Sequence, residues 1–294
     1  MNTTCPWCGS EKSHLNLQLK DYFLTQEPFE IVECDDCHLL YTTPRPAADE
    51  IGKYYQSENY YSHQENKKGF IPRLYEAIKK VNIKHKFEVA TNDLKLESGG
   101  KMLEIGCGVG DFLHYAEQQG WECYGAEPSE DAVKILQTKT KIKVVKPEQI
   151  EDFPNASFDL ICMWHVLEHV ADLKWQIAQL KRLLKPNGRI VIALPNYQSY
   201  DAQYYKDKWA AYDVPRHLNH FSEEFMRKEL NNCGLAYIKS EKLVWDSFYI
   251  SYLSEQYCQH NLALLRGGWR GLLSNLKARK TGQYSSLVYV FKKA

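Results

Sequence analysis

Three groups of residues in this 294-residue chain have types and spacings that could do chemistry. The first is the run 102–113, M-L-E-I-G-C-G-V-G-D-F-L: Glu104, then Gly106, Cys107, Gly108 and Gly110, then Asp111 and Phe112. Glycine takes positive φ cheaply and lets a backbone approach a ligand with no Cβ in the way. The run therefore reads as a strand, a tight cofactor-hugging loop and the start of a helix. A dinucleotide fingerprint would be G-x-G-x-x-G, with a pyrophosphate at the helix N-terminus. Asp111 stands where the third glycine would be needed, and Glu104 lies two residues before the first. Two carboxylates would repel a pyrophosphate but suit a cofactor that carries an ammonium and a sulfonium.

The second group is Cys5-Pro-Trp-Cys8 and, after twenty-five residues, Cys34-Asp-Asp-Cys37. Two C-x-x-C knuckles can give four thiolates to a tetrahedral zinc, a closed and therefore structural site. No signal peptide is visible, so a reducing cytoplasm and a metal are expected rather than disulfides. The other cysteines show no pairing pattern, and His14 and His38 are read as bystanders to the knuckles. The third group is histidine: His165 in W-H-V-L-E-H-V, and His217 and His220 in D-V-P-R-H-L-N-H-F-S. Histidine titrates near neutrality, so His217 or His220 is the candidate for proton removal, with His165 near the reacting centre.

Elements that would position these groups follow in order. A helix over 111–119 stops at Gly120, and 121–126 is the next strand, closing a β-α-β unit. Glu127 ends that strand about twenty residues beyond the loop, where an acid can accept hydrogen bonds from ribose hydroxyls. A third strand, 141–145, precedes a polar loop in which Glu148, Gln149 and Ile150 are candidates to flank an adenine. Strand four is 157–164, ending in Trp164. Asp172 caps a helix whose apolar residues recur at helical spacing until the K-P-N-G stop at 185–188, and strand five is 189–194. Ser222 caps a helix ending near Gly234, which puts His217 and His220 just before its N-terminus.

The E-x-G-x-G-x-G loop and the H-x-L-E-H-V ending of strand four resemble motifs I and IV of the class I S-adenosylmethionine-dependent methyltransferases, over roughly residues 85–294. The resemblance implies a Rossmann-like, doubly wound α/β fold with a seven-stranded sheet whose last strand, 285–292, is inserted antiparallel. It also implies that Glu104, Gly106, Cys107, Gly108, Gly110, Asp111, Phe112, Glu127, Pro128, Glu148, Gln149, Ile150, Trp164 and His165 line the S-adenosylmethionine site. Family members similar to this chain begin with a zinc-binding module and a tyrosine-bearing lid, which makes Tyr60 and Tyr61 lid candidates. The 196–222 insertion resembles a segment that overlies the substrate in small-molecule methyltransferases, several acting on sugars. His165, His217 and His220 are then the catalytic candidates, and Trp209 and Arg216 the substrate contacts, with Arg216 holding an anionic group. The expected organisation is a zinc-ribbon-like module over 1–45, a linker and lid over 46–84, and the methyltransferase domain over 85–294.

Composition sets the outer bounds. With 37 basic and 37 acidic residues the chain has no general attraction for nucleic acid. Forty-four per cent apolar content is ordinary for a globular chain, and no run is long enough to span a bilayer. A cytoplasmic enzyme is expected, acting on a small acceptor such as a sugar, a nucleotide-linked sugar or another phosphate-bearing molecule. The residues leave O-, N- and C-methylation and the oligomeric state open. Residues 261–294 hold seven Lys or Arg and no acid; such a tail is read as solvated, a phosphate-bearing substrate or an anionic surface being what it would otherwise meet. Two other classes fit less well. A nucleic-acid methyltransferase is the alternative substrate class, but W-H-V-L-E-H lacks the D/N-P-P-Y/F motif of amino-directed DNA methylation and the Pro-Cys of pyrimidine C5 methylation, which leaves RNA as its open form. A non-catalytic zinc-ribbon binding protein would not need the intact Glu104, glycines and Glu127.

Overall fold

The computed structural model describes residues 4–47, 49–55, 70–92, 94 and 99–294, with the side chains of 70–78 left aside. The N-terminal strands β1 (Ser13–Lys20), β2 (Pro28–Cys34) and β3 (Leu40–Thr43) form an antiparallel meander. Helix α1 (Phe70–Thr91) then leads into the alternating part of the chain. That part runs β4 (Lys101–Ile105), α2 (Asp111–Gln118), β5 (Glu122–Ala126), α3 (Glu130–Lys139), β6 (Lys143–Val145), β7 (Phe158–Trp164), α4 (Leu173–Leu183) and β8 (Leu184–Pro195). The remainder is α5 (Tyr200–Tyr205), β9 (Asn219–His220), α6 (Glu223–Asn232), β10 (Leu235–Lys242), α7 (Asp246–Tyr257), α8 (Ala263–Thr281) and β11 (Ser286–Lys293).

The main sheet has seven strands in the order β10-β11-β8-β7-β4-β5-β6. β4 pairs in parallel with β5 and β7, and β11 lies antiparallel between β8 and β10, as the resemblance implies. β4 and β7 are near-continuous apolar runs because helices cover both faces of a parallel sheet. Side-chain caps start the crossover helices: Ser129 accepts the Ala132 N–H and Asp172 the Trp175 N–H. The parallel strands all end on the edge that carries the glycine loop, which is where such sheets place their ligands.

Two expectations are corrected. The K-P-N-G segment is not a break before a strand at 189. β8 begins at Leu184, pairs with Phe158, and absorbs the turn residues as a register shift before Arg189 pairs with Leu160. The basic tail is not simply solvated chain: most of it is α8, packed on α7, followed by the buried strand β11.

The N-terminal strands and the 196–222 insertion also share a sheet. β9 pairs antiparallel with β3, Leu40 opposite His220 and Tyr41 opposite Asn219, making a four-stranded sheet β1-β2-β3-β9. Trp7 reinforces this junction, donating from Nε1 to Glu229 on α6 at 2.9 Å and meeting Phe225 edge-on.

Candidate active site

At the end of β4 the chain turns through Gly106 at φ +71°, with the Gly106 N–H donating to Ala126 at 2.7 Å. A Cβ there would lie 2.4 Å from Val166 Cγ2, so only glycine fits. Gly108, at φ +52°, has open space where its Cβ would be, so this part of the loop faces outward with bare backbone. Its N–H donates to Glu127 at 2.8 Å, and the other Glu127 oxygen accepts the Ser129 N–H at 2.9 Å. Glu127 is thus braced between the loop and the start of α3.

Glu104 is 4% exposed, and its Oε2 has no hydrogen-bond partner. Burial pushes its pKa up to about 8, and Lys86 of α1 moderates the shift. A buried carboxylate with an unused oxygen beside bare glycine backbone calls for a cationic donor, which an amino-acid ammonium supplies. Trp164 also keeps an unpartnered Nε1; its ring meets Phe112 edge-on at 5.3 Å and lies 4.8 Å from the Lys86 ammonium. The residues around the loop therefore fit S-adenosylmethionine.

The other sequence candidates for that site are placed less uniformly. Cys107 is buried beneath the loop. Asp111 is engaged by Lys79 at 2.6 Å and Lys139 at 3.2 Å. Pro128, Glu148 and Gln149 lie toward the surface, Gln149 accepting the Lys146 N–H, whereas Ile150 lies fully buried in the core.

Past β7 the backbone turns at His165, a non-glycine residue at φ +58°. Its Nε2 is 2.9 Å from Asp246 of α7, and its Nδ1 is 3.5 Å from Glu168. Burial opposes a charge on this imidazole, but the two carboxylates outweigh it and raise the pKa to about 9. His165 is therefore an imidazolium at neutral pH, suited to electrostatic support rather than proton removal. Glu168 is 1% exposed with neither oxygen well hydrogen-bonded; burial disfavours its charge, but the facing His165 imidazolium outweighs this and keeps it ionised.

His169 and His217 face Glu168. His169 Nδ1 meets the Arg216 carbonyl at 3.0 Å, and His217 Nδ1 meets the Ala211 carbonyl at 2.8 Å. A carbonyl can only accept, so each ring carries a proton on Nδ1 and turns its Nε2 away from that contact. Burial and the neighbouring His217 lower the His169 pKa to about 4. Donor atoms of Glu168, His169 and His217 lie within 4.8 Å of one another, a spacing that would admit a cation. The His165 imidazolium already supplies positive charge to Glu168 at that point. A small cavity opens here, lined by Glu168, Tyr197, Trp209, His217, Asn219 and His220.

His220 is buried in β9, its Nε2 donating to Thr42 Oγ1 at 3.0 Å while that hydroxyl donates to the His217 carbonyl. Burial, with His217 and Arg45, holds it neutral. Trp209 lines the cavity with its Nε1–H fixed on Asp201 at 2.8 Å. Arg216 departs from its expected role of holding an anionic substrate. Its guanidinium is 1% exposed and committed to Asp21 at 2.8 Å and Asp213 at 2.7 Å, which fills its capacity for anions. Tyr60 and Tyr61 lie outside the described residues.

Sequence reasoning missed Glu168 and His169, although both stand in the quoted L-E-H-V motif, and it missed Asp246, for which the sequence carries no local signal. At the other end of the molecule, Sγ of Cys5 lies 3.6 Å from that of Cys37, and Cys8 3.5 Å from Cys34. All four sulfurs fall within 4.8 Å of one another, and none is in a disulfide. Tetrahedral zinc–thiolate bonds require sulfur separations of about 3.8 Å, so the cluster matches that donor set.

This strand order, with a glycine loop after the first core strand and an acid closing the second, defines the Rossmann-like class of S-adenosylmethionine-dependent methyltransferases. The chain belongs to the methyltransferase-domain family, whose model matches residues 81–240, just over half its length. It is similar to the ubiquinone biosynthesis O-methyltransferase of Rhodopseudomonas palustris strain HaA2, 33% identical over 118 residues. That match covers 38% of this chain and 46% of the relative, so the chain spans less than half of that protein. In fold it is similar to a SAM-dependent methyltransferase from Archaeoglobus fulgidus, with a TM-score of 0.50 and 18% identity over 73% of this chain and 94% of that one. It also resembles 1,6-didemethyltoxoflavin-N1-methyltransferase from Burkholderia thailandensis, with a TM-score of 0.52 and 14% identity over 95% and 100%. Among the described residues no helix is long and apolar enough to cross a membrane.

Proposed function

We propose that this methyltransferase binds S-adenosylmethionine on the Gly106–Gly110 loop and methylates a small acceptor whose nucleophile must lose a proton. The observation that carries the cofactor half is Glu104, a buried carboxylate with an unused oxygen beside exposed glycine backbone. Glu104 receives the ammonium, Glu127 the ribose hydroxyls, and Phe112 and Trp164 wall the pocket. When bound, S-adenosylmethionine supplies a methyl group already activated by its sulfonium. The protein's task is alignment, worth up to about 7–11 kcal/mol in favourable cases, together with proton removal.

His217 is the residue best placed to take that proton. Its Nδ1 is held by a carbonyl, it is among the residues that line the cavity, and the neighbouring Glu168 would stabilise the imidazolium it becomes. His220 is a poorer candidate, since its Nε2 already donates to Thr42. An acceptor hydroxyl is the first choice, in keeping with the O-methyltransferase named among the relatives. Sugars and nucleotide-linked sugars belong in the same screen, because Trp209 and Tyr197 line the cavity and aromatic faces stack on sugar rings.

Calorimetry with S-adenosylhomocysteine, with NADH as the control ligand, tests the cofactor: micromolar binding of the first alone is expected, and equal or absent binding of both refutes it. Once an acceptor is found, His217→Asn is expected to lower kcat by about 10²–10⁴-fold, with S-adenosylhomocysteine affinity within about twofold of wild type. A kcat near wild type would remove His217 from the mechanism.

We further propose that Cys5, Cys8, Cys34 and Cys37 hold a structural zinc that ties the β1–β2 meander to its flanking knuckles. The protein as purified is expected to carry one zinc at this cluster, and stripping it with a chelator should lower the thermal midpoint by about 10 °C. Retention of full zinc content by Cys34→Ser would contradict the assignment.

A further inference from the structure

Helix α8 has its apolar residues on the side a water-facing helix would make polar. It buries Gly267, Gly271, Ser274 and Ala278, the two glycines against α7. A Cβ on Gly267 would lie 2.6 Å from Tyr252 Cα, and one on Gly271 would lie 2.8 Å from Phe248 Cα, so the two backbones pack in direct contact. The large residues point the other way. Leu264, Leu265, Trp269, Leu272 and Leu276 are all exposed, Leu265 at 69% and Trp269 at 59%. Leu265, Trp269, Leu272 and Leu276 recur at i, i+4, i+7 and i+11, which is one stripe on a helix. A helix that met only water would bury such a stripe, and an exposed patch of this kind marks an interaction surface.

Charge identifies the partner. No acidic residue occurs after residue 260; Arg279 and Lys280 flank the stripe at its C-terminal end, and Arg270 and Lys277 lie about a third of a turn round the helix from it. Arg270 and Lys277 lie over the rings of Tyr204 and Tyr200 at 3.9 and 3.7 Å, which steadies them without cancelling their charge. Arg266 is the exception, paired with Glu255. Two copies of this chain packed through the face would bring like charges together. An anionic bilayer satisfies both features, because its headgroups meet the Lys and Arg side chains while leucines and an interfacial tryptophan enter the acyl boundary.

We infer that α8 docks in the plane of an anionic phospholipid surface, with Leu265, Trp269, Leu272 and Leu276 inserted and Arg270, Lys277, Arg279 and Lys280 against the headgroups. The helix is also wired to the acceptor cavity. Ser274 donates to Asp201 at 2.7 Å, and the other Asp201 oxygen holds Trp209, which lines the cavity. The docking inference itself does not depend on the acceptor reading.

Vesicle flotation of the full chain tests it, comparing phosphatidylcholine vesicles with vesicles in which about one third of the lipid is phosphatidylglycerol. Wild type is expected to float with the anionic vesicles and to be released by high salt. Leu265→Gln/Trp269→Gln is expected to weaken binding at least about tenfold, and Arg279→Glu/Lys280→Glu by a similar factor. All four positions are exposed, so unchanged melting temperature and S-adenosylhomocysteine binding would show that the variants are folded. Absence of flotation with either vesicle, or wild-type flotation by Leu265→Gln/Trp269→Gln, overturns the inference. So does a wild-type dimer that this variant splits without any vesicle binding, which would make the face a self-association surface. Flotation without S-adenosylhomocysteine binding would instead leave the inference standing and remove the proposed cofactor.

Discussion

Arg216→Ala is expected to destabilise the protein by about 3–5 kcal/mol, a large share of the stability of an ordinary domain. The guanidinium lies between Asp21 of the β1–β2 turn and Asp213 of the insertion, and donates also to the Tyr54 carbonyl at 3.0 Å. Removing it leaves the fully buried Asp21 carboxylate without its counter-charge, and the penalty comes mainly from that stranded anion. Arg216→Lys keeps the charge but not the fork that reaches two carboxylates, so an intermediate loss is expected.

The pH dependence follows with a definite sign. Burial works against ionisation of Asp21 and Asp213, yet Arg216 outweighs it and holds both below the ordinary 3.8. Groups with depressed folded pKa values contribute stability above their unfolded values and lose it as pH falls through the folded ones. Wild type should therefore lose this contribution only below about pH 4, and Arg216→Ala should unfold in acid at a higher pH. Denaturant titrations from pH 3 to 7 measure both effects. A loss below about 1 kcal/mol, with an unchanged acid midpoint, would show that the clamp is not a principal tie between the two segments.

The second large effect concerns Glu104→Gln, which should strengthen the unliganded fold and weaken cofactor binding together. With a folded pKa of about 8 against an ordinary 4.5, the folded protein keeps a proton that the unfolded chain has already lost. Between those values stability falls as pH rises, by at most about 1.4 kcal/mol per pH unit. The amide that replaces the carboxyl has no acidic proton to lose, so the decline should flatten and the unliganded variant should exceed wild type in stability at about pH 8. An ammonium beside Glu104 draws the carboxyl into its charged form. Binding of S-adenosylhomocysteine at about pH 7 should then release up to one proton from wild type and none through this position in Glu104→Gln. Affinity should fall by about 100-fold, since a charge-assisted contact is replaced by a neutral one. Calorimetry in two buffers of different ionisation enthalpy reads affinity and proton count together. Equal affinity in the two proteins would remove Glu104 from the ammonium site.

Glu104 also shows how far local sequence reaches. Its place beside the loop follows from a strand, three glycines and a helix start within a dozen residues, all governed by short-range backbone sterics. The alternation of apolar runs with capped helices is equally local, and it is enough to imply a doubly wound sheet. The K-P-N-G segment misled because its turn chemistry is real, but pairing with β7 carries β8 straight through it.

The ladder of β4 to β8, the glycine loop with its acid and the two cysteine knuckles were all legible in the order of residues, because each rests on positions close together in the chain. Folding had to bring Asp246 to His165 across 81 positions and Asp21 to Arg216 across 195, and to add β9 to the N-terminal sheet. Folding also turned the leucines of α8 outward, since a periodicity fixes which residues share a helix face but not which face is buried. These outcomes depend on charge pairing and strand addition between distant segments, whose energies arise only once folding has excluded water from between them.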